Sequence, residues 1–198
     1  MKDLKKYSKA ARLYLKSIFL IPFKPRKIFQ DIAKDNNQII ALILVWASGF
    51  SISQLIVFVF LPCNQFEDFL FHWVGVPILT LVLFYFLGFL IYKAGVLNGG
   101  KAKFGQIRIV LAWAGVPWIW IISIWIWSPW FQLLLGSIFY IFVIWELLLL
   151  SIGISVVQKF SFWKATWHVF LASVLATIPL MAVWIGLGLL KSFFFENK

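Results

Sequence analysis

Sulfur, imidazole and carboxylate chemistry are almost missing from this chain. Among 198 residues there is one cysteine, Cys63, two histidines, His72 and His168, and seven acidic residues. A lone cysteine excludes an intrachain disulfide and any cysteine-based zinc or iron–sulfur cluster. Two scattered histidines are too few for a histidine-rich metal site. Hydrolytic chemistry needs a nucleophile with a base, paired carboxylates or metal ligands, and no such set can be assembled. Gly99-Gly100-Lys101 lacks the rest of a phosphate-binding loop. The sequence therefore predicts no enzyme, no metal and no cofactor.

Charge is scarce as well. Only 13% of residues are charged and 63% are hydrophobic, with a mean hydropathy of +0.94. A soluble domain carries about 25% charged and about 45–50% apolar residues. So much apolar surface cannot be hidden in one small core, and lipid has to cover it. The charge that exists is one-sided: 18 Lys plus Arg against 7 Asp plus Glu, a net +11. Ten of those cations precede residue 35, outside any long apolar run. Membrane-flanking cations account for this better than nucleic acid, which needs a basic soluble face.

A helix needs about 20 apolar residues to cross the hydrocarbon. Five stretches reach that length: 38–61, 69–92, 106–127, 131–157 and 165–190. Pro62-Cys63-Asn64, Asn98-Gly99-Gly100, Ser128-Pro129 and the segment 159–164 supply the turns between them. The predicted fold is all-α, a polytopic membrane bundle of five transmembrane helices.

Loop charges orient the bundle. Cations crowd the N-terminal segment. The loop after the first span holds Glu67 and Asp68 and no cation, and the next carries Lys93, Lys101, Lys103 and Arg108. The following one is uncharged, and the last has Lys159 and Lys164. This alternation follows the positive-inside rule. It predicts a cytoplasmic N-terminus, with Cys63 and the tail 191–198 on the outer side. Trp125, Trp127 and Trp130 cluster at the outer boundary, and Trp163 and Trp167 at the inner one, where indoles prefer to sit.

The first apolar run long enough to insert starts near Gln38, so no cleavable signal peptide is expected. Residues 1–20 read as a basic amphipathic helix. Leu4, Tyr7, Ala11, Tyr14, Leu15 and Ile18 share one face, and Lys2, Lys5, Lys6, Lys9, Arg12 and Lys16 occupy the rest. Such a helix suits an anionic membrane surface; packing on the protein's own loops is the alternative. A second short helix is predicted from Pro25, a good first-turn residue, to Asp35, with Ile28, Phe29, Ile32 and Ala33 on one side.

The order of features resembles a known family. Lys24-Pro-Arg-Lys-Ile-Phe-Gln-Asp-Ile32 precedes the first span. Gly99-Gly-Lys-Ala-Lys-Phe-Gly-Gln106 leads into Ala112-Trp-Ala-Gly-Val-Pro117. A span with Trp145 ends in Phe162-Trp-Lys-Ala165, before a final helix with Pro179. Over residues 21–190 the chain is similar to the Yip family, the Ypt/Rab-interacting multi-pass proteins, in its bacterial-type form. The resemblance implies five spans, a cytoplasmic N-terminus and a bacterial cytoplasmic membrane. It also implies membrane organisation or the holding of partner proteins, with a homo-oligomer as one form of partner. The chain departs from the eukaryotic branch, with Asp35-Asn36-Asn37 in place of an Asp-Leu-x-Gly-Pro element and Ala112-Trp113-Ala114 in place of Tyr-Gly. The resemblance therefore does not carry GTPase binding to this chain.

One residue inside the spans can carry chemistry. Glu146 lies near the middle of the fourth span, where a carboxylate costs about 3 kcal/mol on insertion scales unless it is paired, protonated or facing water. Counting about twelve residues from the inner end, roughly 18 Å, brings Ser51, Thr80 and Thr177 near its level. Two readings stay open: a structural hydrogen bond, or a polar site on a path for a lipid or small molecule. Pro77, Pro117 and Pro179 interrupt three spans, and kinks there could open a pocket. A cavity at Glu146 would favour a carrier or scramblase; a closed bundle with an exposed apolar flank would favour an adaptor.

Overall fold

In a computed structural model, residues 14–35, 37–60, 74–120 and 135–195 are described. Side chains are described in those ranges except 53–60, 135–139, 180 and 182–195. These residues are all helix and connecting turn, with no strand among them. After helix α1 (14–20) come α2 (Pro25–Asp35), α3 (Gln38–Phe60), α4 (Val76–Leu97), α5 (Phe104–Ala114), α6 (Leu135–Gln158) and α7 (Phe162–Phe195). Among the described residues, Val76–Leu97 and Tyr140–Gln158 are long and apolar enough to cross a membrane. The Ser128-Pro129 hairpin, Cys63, Trp125, Trp127 and Trp130 lie outside the described residues.

Five helices close a ring: α3 packs on α4, α4 on α7, α7 on α6, α6 on α5, and α5 back on α3. Their outward faces remain apolar, with Ile78, Val82, Phe89, Ile144, Leu148 and Ile178 all exposed. A soluble protein would bury such side chains; a lipid-covered one needs them outside.

Pro25 opens α2, and its apolar stripe buries Ile28, Phe29, Ile32 and Ala33 against α5 and α6. The seam is tight because α6 carries Gly153 there. A Cβ at that position would run into Val110 and lie 3.1 Å from the Phe29 ring. Asn37 Oδ1 then accepts the Ile40 N–H (3.3 Å) and caps α3.

Two helices stop at the same end of the bundle by the same device. Gly99 adopts φ +81, and the Gly100 N–H donates to Gly95 O (2.7 Å), ending α4. Lys159 adopts φ 60 and the Phe160 N–H donates to Ser155 O (3.1 Å), ending α6. Each follows the αL capping pattern that satisfies the last free carbonyls. The buried Gln158 side chain ties the two ends together, because its Oε1 accepts the Ala102 N–H (3.2 Å). Its amide fills the space left by Gly95 and Gly100, where a Cβ would collide with it. Lys164 Nζ donates to Asn98 O (2.9 Å) from the start of α7. Arg108 lays its guanidinium between the rings of Tyr85 and Phe104, 5.2 and 5.0 Å from their centroids, a favourable cation–π arrangement.

The expected proline interruptions fall differently. Pro77 sits in the first turn of α4, directly after a short π-helical stretch at 74–75. Pro179 lies inside α7, which continues through it over 34 residues. Pro117 does coincide with a break: α5 ends at Ala114, Gly115 turns, and helix resumes over 116–120. Proline at 117 cannot bond the carbonyl a turn earlier and disfavours helical backbone just before it.

The described end of the N-terminal stripe packs on the bundle. Tyr14 is buried and stacks on Trp113 (6.0 Å), and Ile18 packs against the core. That face binds the bundle, while Leu15, Lys16 and Phe19 are exposed. Lys2, Lys5, Lys6, Lys9 and Arg12 lie outside the described residues.

A polar cavity inside the helix ring

The break at Gly115 positions the site. By ending the regular helix it brings Trp118, four-fifths of a turn past the glycine, toward α6. There the indole Nε1–H donates to Glu146 Oε2 at 2.6 Å. That is a short length for an N–H to oxygen bond. The Trp118 ring is buried and touches Phe142 at 6.2 Å. The Gly115 carbonyl accepts the Trp118 backbone N–H (3.0 Å) and also lies 3.1 Å from Ser48 Oγ.

A cavity of about 270 Å³ lies beside this pair. All five helices of the ring reach it: Ser48 from α3, Thr80 from α4, Ala112 from α5, Glu146 from α6 and Thr177 from α7. Val45, Leu83, Phe84, Leu87 and Leu111 make most of the rest apolar, and Ser173 adds one more hydroxyl. It has the composition usual for a small-molecule site: apolar walls with a few converging polar groups.

Three residues expected from sequence, Glu146, Thr80 and Thr177, line this one cavity. Ser51 does not. It is buried, and its hydroxyl donates to Ala47 O (2.8 Å). Ser48 takes the place instead: with Val45 and Ile52 it makes the stripe of α3 that lines the cavity, and Ser51 lies about 60° to the side of Ser48, off that stripe. Depth can be counted along a sequence, whereas the angular register of α3 depends on which side meets α4. That contact is made at Gly49, where a Cβ would lie 2.9 Å from Thr80 Cβ.

Sequence reasoning missed Trp118 as the partner of Glu146. A signal was present: Trp118 is about twelve residues from Gln106, the same depth count that selected the hydroxyls. An indole N–H at that level is a donor with no other use in lipid. Trp113 and Trp118 are both buried. His168 sits 5.2 Å from the Phe160 ring near the start of α7, apart from the cavity lining. No cluster of three metal-ligating side chains occurs among the described residues.

A family model described as the Yip1 domain matches residues 19–185. No curated protein and no solved structure matches the chain.

Proposed function

Because this chain belongs to the Yip1-domain family of membrane proteins, we propose that it is a five-span membrane protein whose work is binding and passage rather than catalysis. In this reading it is a carrier or scramblase that takes a lipid group or small molecule into the cavity at Glu146. The observation that carries the proposal is the convergence of five helices on one cavity containing an intramembrane carboxylate. A carboxylate kept only for packing would be enclosed by its donor. Glu146 instead borders open volume.

The decisive variants are Glu146→Gln and Glu146→Leu. Purified wild-type protein should carry a bound small molecule or lipid detectable by native mass spectrometry, and the Gln variant should lose it while melting normally. Gln keeps a donor and an acceptor, so Trp118 retains a partner. Leu should cost roughly 0.6–2 kcal/mol, the range for interhelical hydrogen bonds in membranes. Equal retention by wild type and Gln would end the carrier reading. A second reading, an adaptor for partner membrane proteins or a homo-oligomer, is supported by the exposed aromatics Trp163 (79%) and Trp167 (59%). It would then stand alone.

The proposed orientation keeps the basic N-terminus in the cytoplasm, on the loop-charge alternation. Cys63 in intact cells should react with an impermeant maleimide; reaction only after permeabilisation would reverse the topology. The N-terminal segment is proposed to touch anionic headgroups. Leu15, Phe19 and Phe23 form an exposed stripe beside the exposed Lys16, Lys24, Arg26 and Lys27. A peptide of residues 1–20 should bind anionic vesicles and release them as salt rises, since surface cations contribute about 1 kcal/mol each and are screened. Salt-insensitive binding would remove the electrostatic part.

A further inference from the structure

The hydroxyls around the cavity have their hydrogens turned away from it. Ser48 Oγ donates to Leu44 O at 2.8 Å and also lies 3.1 Å from Gly115 O. Thr80 Oγ1 donates to Val76 O (2.9 Å) and Thr177 Oγ1 to Val174 O (2.7 Å). Each bond runs back along its own helix, so what remains for an occupant is oxygen lone pairs. The Trp118 N–H is directed at Glu146 Oε2, leaving Oε1 on the carboxylate. Ser173 is the remaining hydroxyl, and it can accept as readily as donate. No Lys, Arg or His is among the described lining residues. The cavity therefore offers oxygen acceptors and one carboxyl group, with few donors.

From this juxtaposition we infer that the cavity takes a small organic cation with N–H donors, a protonated primary amine or the amine end of an amphiphile, and refuses anions. The inference rests on the carrier reading and names its substrate class. An ammonium group supplies three donors and the positive charge that Glu146 lacks. Neighbouring acceptors hold it more strongly in a low-dielectric site than they would in water. An anion would meet lone pairs and a carboxylate. Phe84 and Trp118 add aromatic faces that attract a cation. Size narrows the class: about 270 Å³ lies just below the roughly 300–1,000 Å³ of ordinary small-molecule pockets. A short alkylammonium fits, and an entire phospholipid does not.

The test uses the full-length protein in nanodiscs of zwitterionic lipid, with empty nanodiscs as the blank. Three probes of equal chain length are titrated by calorimetry: hexylammonium, hexanol and hexanoate. Hexylammonium should bind and raise the melting temperature, hexanol should bind weakly, and hexanoate should not bind. In Glu146→Gln the hexylammonium affinity should fall roughly ten- to a hundred-fold, the scale of a lost charge-assisted hydrogen bond. Ala176→Leu, which places bulk in the cavity without touching Glu146, should abolish binding with the fold intact. That second variant keeps the test valid if Gln disturbs folding. Hexanol or hexanoate binding as well as the amine would overturn the cation assignment while leaving a ligand cavity in place. If none of the three binds, and wild type holds no co-purified molecule, the carrier reading fails with it.

Discussion

Gly153 and Glu146 lie on the same side of α6, seven residues and about 10.5 Å apart, yet their surroundings are opposites. At Gly153 the helix meets Val110 and Phe29 so closely that only hydrogen fits. At Glu146 it borders a cavity of about 270 Å³. The difference comes from α2. That short helix fills the seam between α5 and α6 near their joined ends, and no α2 residue reaches the cavity lining. Beyond α2, the cavity opens between the five helices. One helix face thus serves as a packed joint at one level and as the wall of a polar site at the next.

The two levels should answer added volume with opposite signs. Gly153→Val has the larger effect: it drives two methyls into Val110 and Phe29 and should destabilise by about 3 kcal/mol, the upper part of the overpacking range. A detergent melting curve close to wild type would show that the joint is loose and the contrast false. Ala176→Leu adds volume on the open level. Its stability should stay within about 1 kcal/mol of wild type, or rise as cavity-filling changes often do, while retention of the co-purified molecule disappears. A loss as large as that of Gly153→Val would mean that the cavity closes in solution.

Much of the architecture could be read along the chain because membranes impose simple demands. Backbone groups in hydrocarbon must be satisfied within helices, so long apolar runs had to be helical, as α4 and α6 are. Pro25 and the spacing of Ile28, Phe29, Ile32 and Ala33 identified α2 and its buried face. Other features depended on a neighbour and carried no local mark. Tyr14 packs on Trp113, the alternative that the stripe left open, and Ser48 rather than Ser51 reaches the cavity. An amphipathic stripe has the same local pattern on lipid and on protein.

Composition and the length of the apolar runs were enough to make this an all-α membrane chain. That conclusion depends on the number and order of residues alone. The singularity of Glu146 was likewise visible, because charge inside an apolar run is costly wherever the run packs. Its partner was not. Which of Ser48 and Ser51 faces Glu146's cavity, and that Trp118 reaches the carboxylate, follow from helix rotation and from the break at Gly115. Rotation is set by contacts such as Gly49 on Thr80 and Gly153 on Val110. Those contacts join residues far apart in the chain, whose meeting no local pattern encodes.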